Sequence, residues 1–224
     1  MSTKFFDERL GHLKSLIASM GGCVEQMLKE ANMIIFKKPS DKKKIYQIIQ
    51  EREIEIDSLQ VKLGKYCYRI LAVQSPVAKD LRAILSIISA NTSLERMGDL
   101  SFEIAKKGRE LKEDPLLETS LDCLEELFVH ISLMVVDCLD AFINEDEKLA
   151  RHVILQDQRA DSLKDKICLE LKTCILKNKE LIDTCIQLVG VAEKLERVGD
   201  QATNIAEEVV FLQTGLDIKH QEEK

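Results

Sequence analysis

The chain has 224 residues, 45% of them hydrophobic, and no run of about eighteen apolar residues, so one large core or two small ones are expected and a membrane-spanning helix is not. A formal net charge of −7, no tryptophan and only 4% aromatic residues argue against a nucleic-acid footprint, which needs a clustered basic surface and stacking rings. The start of the chain, Met1-Ser2-Thr3-Lys4-Phe5-Phe6-Asp7-Glu8, turns acidic before the apolar segment of a secretory signal develops, and a soluble cytoplasmic protein is the expectation.

Prolines at 39, 76 and 115 separate long stretches of strong helix formers whose apolar residues recur with a period near 3.6. Helix 1 is predicted over about 4–37, helix 2 over about 41–73 and helix 3 over about 76–112. Helix 4 follows over about 117–143, helix 5 over about 145–177 and helix 6 over about 179–214, closed by Gly215. No segment alternates with the two-residue period of a strand, so the fold is predicted all-α. Helices of roughly thirty residues joined by short turns fold back antiparallel. The lysines around Pro39-Ser40, Lys37-Lys38 and Lys42-Lys43-Lys44, read as a solvated turn.

In helix 3, Leu94-Glu95-Arg96-Met97-Gly98-Asp99 returns in helix 6 as Leu195-Glu196-Arg197-Val198-Gly199-Asp200, and Ile104-Ala105 returns as Ile205-Ala206. The chain is therefore an internal duplication, and two tandem, pseudo-symmetric antiparallel three-helix bundles are predicted. The expected boundaries are 1–113 for the first bundle, 114–215 for the second and 216–224 for a polar tail. Gly98 and Gly199 lower helix stability relative to alanine, and a close approach by a neighbouring helix would explain them.

The repeat carries acids four residues apart, one turn up the same helix face. Acids at this spacing are common in a chain with 39 of them, and Glu118, Asp122 and Glu126 read as solvated charges of that kind. Glu95 and Asp99 differ because they continue the track Leu81, Leu85, Ile88 and Thr92 towards Phe102, and Glu196 and Asp200 continue Ile182, Ile186, Val189 and Glu193 towards Thr203 and Glu207. These tracks read as core-facing stripes. Helix 2 offers Glu53 and Asp57 in line with Ile45, Ile49, Val61 and Tyr68, and helix 5 offers Asp157 and Asp161 in line with Ile154, Cys168 and Leu171. Two antiparallel helices would thus gather four carboxylates in each half. Half-buried carboxylates without a counter-charge cost several kcal/mol per ion, so a metal ion is expected among them, the alternative being surface acids paired with neighbouring Lys or Arg. Oxygen ligands select hard or borderline ions such as Mg²⁺, Mn²⁺, Ca²⁺ or iron. Helices 1 and 4 carry no such pairs and are expected to serve mainly as packing. Glu103, Asn204 and Glu207 stand one or two turns away as either further ligands or rim polarity.

The seven cysteines lie scattered without a C-x-x-C pair and read as buried small hydrophobes in a reducing compartment. His12, His130, His152 and His220 form no Glu-x-x-His pair, which argues against an oxygen-activating di-iron bundle, and each reads as a surface or rim residue. No phosphate-binding glycine loop, nucleophile elbow or Ser/His/Asp set is apparent.

On these motifs the chain resembles the PhoU family of bacterial phosphate-uptake regulators. The resemblance rests on the two repeated hexapeptides, on Asn204-Ile205-Ala206-Glu207-Glu208, on Met20-Gly21-Gly22-Cys23-Val24-Glu25 and on Pro76-Val77-Ala78-Lys79-Asp80-Leu81-Arg82, and it spans about residues 7 to 215. It implies a duplicated three-helix bundle and multinuclear metal clusters of iron or zinc on carboxylates. It also implies two partners, the ATPase of the phosphate ABC transporter and the phosphate-sensing histidine kinase, with a homodimer as a further expectation. The expected role is negative regulation of phosphate transport and phosphate homeostasis by a protein that is not an enzyme. The first repeat departs from the second: Ser101-Phe102-Glu103 and Lys106 stand where the second has Ala202-Thr203-Asn204 and Glu207. A carboxylate-bridged metalloenzyme is the alternative, disfavoured because no pocket signature or general acid and base accompanies the pairs. A metal-free helical scaffold ranks third.

Overall fold

Helix formers run unbroken between the punctuating prolines, and the computed structural model realises them as six long helices: α1 Ser2–Asn32, α2 Lys42–Gln74, α3 Ala78–Glu110, α4 Glu118–Asn144, α5 Glu147–Lys177 and α6 Ile182–Thr214. The structure describes residues 2–37, 41–111 and 115–218, and no strand occurs among them. Their ends follow local chemistry. Asp41 Oδ1 accepts the backbone N–H of Lys44 at 2.9 Å, and Asp146 Oδ1 accepts those of Lys148 and Leu149, so both helices start on a carboxylate cap. Gly215 closes α6 in the left-handed conformation (φ 73°) with its N–H on the Phe211 carbonyl at 2.8 Å. Two details depart from the sequence reading. The predicted end of helix 1 is a π-helical turn, Met33–Lys37, which buries the adjacent Ile34 and Ile35. Helix 3 begins at Ala78 because Val77 is extended and Ala78 takes φ 50°.

Helices α1, α2 and α3 pack together as one antiparallel bundle and α4, α5 and α6 as a second. The two are joined where α3 lies along α6 and α1 touches α4, so the molecule has a four-helix layer in the order α2, α3, α6, α5, with α1 and α4 against it. One contiguous core runs through both bundles, including Ile84, Leu94, Met97 and Ile104 of α3 and Leu195, Val198 and Ile205 of α6, all at or near zero exposure. Each such side chain contributes about 1.5–3 kcal/mol by burial. Polar ties cross the seam between bundles: Lys194 pairs with Glu103, and Ser86 Oγ donates to the Glu208 carbonyl at 3.4 Å.

The tracks that carry the acids are not core stripes, as the sequence had suggested. In α3, Leu81, Leu85 and Thr92 are exposed, Glu95, Asp99 and Phe102 are half-buried, and the core is lined instead by Ile84, Ile87, Leu94 and Met97. In α6, Ile186 and Glu193 are likewise exposed. The reason is coverage: α3 and α6 are each enclosed by three neighbours, so nearly every side is buried and the acid track occupies the open edge that remains. The acids therefore sit at the rim of the core, where an ion can reach them.

Candidate metal centre

Asp57 lies on α2 one residue beyond Ile56, and Asp99 on α3 one residue beyond Gly98. A β-carbon at Gly98 would stand 2.9 Å from Ile56 Cδ1, so the glycine brings the two helices close at this level. The result is that one carboxylate oxygen from each of Glu53, Asp57 and Asp99 falls within 4.8 Å of the others. Oxygens around a single divalent ion with bonds of about 2.0–2.6 Å stand at most about 5 Å apart, so this donor set fits a hard cation. Like charge and reduced hydration raise all the half-buried members. For Glu53 desolvation leads, followed by Asp57 and Asp99; for Asp99 desolvation leads, followed by Asp57. Glu95 is raised by desolvation, then by Asp99 and Asp57, while Arg96 opposes weakly. It borders the three without joining their close group. Asp99 also lines an open cleft of about 620 Å³, which gives its carboxylate access to solvent.

The second half repeats the arrangement with a difference. Gly199 again admits a neighbour, here Ile131 of α4 at 2.9 Å from a would-be β-carbon. Asp157, Asp161, Glu196 and Asp200 act on one another. Asp200 reaches solvent at the rim, yet the flanking helices keep water back enough that desolvation, then Glu196, Asp157 and Asp161, raise it to about 6. Asp157 is raised chiefly by desolvation, with Asp161 second. Lys164 Nζ, however, donates to Asp161 Oδ1 at 3.4 Å and to Glu196 Oε1 at 3.2 Å. Pairing with a neighbouring lysine, the alternative for these acids, thus holds for Asp161 and Glu196, and the particular lysine, not named from the sequence, stands three residues after Asp161 on the same helix face.

The remaining candidates divide plainly. Glu103 is a partner of Lys194 across the seam, which lowers its pKa first through that hydrogen bond. Asn204 and Glu207 are half-buried on α6, and Glu118, Asp122 and Glu126 are exposed, with Glu126 paired to Arg159 at 3.0 Å. Five cysteines are buried, while Cys168 and Cys174 are half-buried. His130 corrects the surface-or-rim assignment: it is buried on α4, with Nε2 2.9 Å from the Gln156 carbonyl oxygen. Helix α4 thus adds a hydrogen bond to α5 beside the second group as well as packing. His12 and His152 are exposed, and His220 and residues 38–40, where the solvated turn was expected, lie outside the described residues.

An all-α protein built from two copies of a three-helix bundle, with paired carboxylates on the open edge of each repeated helix, is the class that fold and site define. The family model described as "PhoU domain" matches twice, over residues 17–108 and 124–209, and the chain belongs to the PhoU family. It is 36% identical over 219 residues to the "Phosphate-specific transport system accessory protein PhoU homolog" of Zymomonas mobilis, covering 96% of this chain and 89% of that protein. It is 30% identical over 218 residues to the Escherichia coli K12 "Phosphate-specific transport system accessory protein PhoU", covering 96% and 88%. Among solved structures, PhoU from Pseudomonas aeruginosa superimposes with a TM-score of 0.86 at 29% identity, covering 94% of this chain and 100% of that one. The "phosphate transport system regulatory protein PhoU" from Streptococcus pneumoniae does so at 0.85 and 30%, covering 95% and 98%. Among the described residues no helix is long and apolar enough to cross a membrane.

Proposed function

We propose that the protein is a non-enzymatic regulator of phosphate homeostasis, restraining uptake by the phosphate-specific ABC transporter and phosphate-starvation signalling through the sensor kinase. The observation that carries this reading is similarity over nearly the whole chain, in both repeats, to proteins named as phosphate transport accessory proteins. The transporter ATPase and the histidine kinase are the expected partners in the cytoplasm, one for each bundle or face. The two repeats, 1–113 and 114–215, would act as its functional halves.

Metal ions held by carboxylates complete the proposal. Glu53, Asp57 and Asp99, bordered by Glu95, would hold an ion in the first half, and Asp157, Asp161, Glu196 and Asp200 in the second. The bound ion would supply positive charge that offsets the mutual repulsion of the acids and draws α2 to α3 and α5 to α6. Oxygen ligands suit Mg²⁺, Mn²⁺, Ca²⁺ or iron, and the family resemblance implies iron or zinc.

The test is deletion of the gene in its own host, with phosphate uptake and phosphate-starvation transcription measured in phosphate-replete medium. Excess uptake and derepressed transcription are expected, restored by the wild-type gene and partly by a copy carrying Glu196→Gln with Asp200→Asn. Wild-type values in the deletion strain would overturn the regulatory reading.

A further inference from the structure

We propose that Lys164 is a built-in counter-cation of the second carboxylate group, so that the two halves take up metal unequally: the first directly, the second in competition with the lysine. The inference rests on the metal reading above and concerns how this chain distributes ions between its repeats.

Lys164 sits in the groove between α5 and α6, bridging the two helices whose acids would otherwise face one another. Its Nζ is 3.4 Å from Asp161 Oδ1, 3.2 Å from Glu196 Oε1 and 3.7 Å from Asp165 Oδ1. With 23% of its side chain exposed, and 21% of Glu196, it is held in the rim rather than extended into solvent. Two of the four second-half acids thus already face a cation.

The first half lacks this device for a reason legible in the repeat. The interval that separates Glu53 from Asp157 and Asp57 from Asp161 also separates Gln60 from Lys164, so a neutral amide occupies the corresponding position. There Glu53, Asp57 and Asp99 converge within 4.8 Å. Among the described residues the equivalent trio in the second half does not converge in this way, and Asp161 is engaged by Lys164 instead.

The chemistry follows from charge and donor number. An ammonium brings one charge and three N–H donors, so it satisfies two carboxylates without closing a coordination shell. A divalent ion brings twice the charge, yet to use Asp161 Oδ1 and Glu196 Oε1 it must compete with the ammonium that already occupies them. Its apparent affinity is reduced by the fraction of molecules in which Lys164 is displaced. Asp157 and Asp200 keep the second half competent for metal, so its affinity is weakened and not abolished.

The experiment is calorimetric titration of chelator-treated full-length protein with MnCl₂, supported by electron paramagnetic resonance of bound Mn²⁺. Two classes of site are expected in the wild type, the tighter one lost in Asp57→Asn with Asp99→Asn and the other about tenfold weaker or more. Lys164→Gln, which copies the first half, should tighten the weak class by about tenfold, and Gln60→Lys should loosen the tight one by a similar factor. If the wild type binds Mn²⁺ at the first group but neither Lys164→Gln nor Gln60→Lys changes the affinities, the counter-cation proposal is overturned while the metal reading stands. If no Mn²⁺ binding is lost on substituting Asp57 and Asp99, the metal reading itself falls. Circular dichroism checks that each variant is folded, and if one of the two exchange variants fails to fold the other decides the matter.

Discussion

Ile56 of α2 rests directly on Gly98 of α3, with Cδ1 2.9 Å from where a β-carbon would stand, and this contact sets the distance at which Asp57 and Asp99 face each other. Gly98→Val should push α2 outward. The expected cost is about 1–3 kcal/mol in urea unfolding, with weaker Mn²⁺ binding at the first group. Gly98→Ala should cost less, because the clash falls on the end of a flexible side chain and alanine regains about 1 kcal/mol of helix propensity. Equal Mn²⁺ affinity in Gly98→Val and wild type would contradict the link between helix spacing and ligation.

Removing like charge from the first group should have opposite effects with and without metal. In strong chelator, Asp57→Asn with Asp99→Asn is expected to melt higher than wild type, by about 1 kcal/mol or less, since the carboxylates repel one another at a partly screened rim. In excess Mn²⁺ the order should reverse, because stabilisation by a ligand grows with its concentration over the dissociation constant. Melting curves in both buffers check this, and an unchanged order would count against a cation at the site.

Asp200 gives the pH dependence. Its pKa in the folded protein is about 6, above the usual unfolded value of about 3.9, so the folded state holds the proton more tightly. The stability it contributes is complete below about pH 3.9 and lost as pH rises through about 6. Glu103 and Glu145, whose pKa values are lowered, act in the reverse direction, so the comparison needs a variant at the site itself. In chelator, Asp200→Asn should match wild type most closely near pH 4 and become the more stable of the two towards pH 7. A difference in melting temperature that stays constant over this range would refute the assignment.

Glu145 terminates α4 in the left-handed conformation (φ 53°), a position that favours glycine, and its side chain explains the exception. The carboxylate accepts from Lys14 Nζ at 2.9 Å and Gln213 Nε2 at 2.8 Å and lies 3.3 Å from Lys79 Nζ, which ties the α4–α5 turn to α1, α6 and α3. Glu145→Gln is expected to destabilise by about 1 kcal/mol, less at high salt, whereas Glu145→Gly should recover part of that loss through the backbone. Denaturant midpoints at two ionic strengths separate the contributions.

Most of the helical plan was legible because its punctuation is local: the prolines and Gly215 act within a few residues of themselves. The pairing of Glu53 and Asp57 with Asp99 was legible for a similar reason, since i,i+4 spacing and the repeat place them on matched faces. What the sequence could not convey depends on neighbours in space. Whether the track through Leu85 and Glu95 is core or rim is decided by how many helices enclose α3, and the burial of His130 by how closely α4 meets α5 at Gln156. The π-turn at Met33–Lys37 has no residue spacing that announces it. Lys164 was readable by its spacing from Asp161, but its bond to Glu196 required the placement of α6.

Because α1 and α4 both pack against the same side of the four-helix layer, the acid tracks of α3 and α6 share the opposite, open side. On the proposed metal reading, the surface potential of that side would be a variable quantity. With the first trio ionised it presents three negative charges in a span of under 5 Å, and one divalent ion would leave a single net charge in the same place. A docking protein would meet an anionic surface when metal is scarce and a nearly neutral one when it is plentiful. The long-range attraction of basic partners, and the salt sensitivity of their association rates, would change with it.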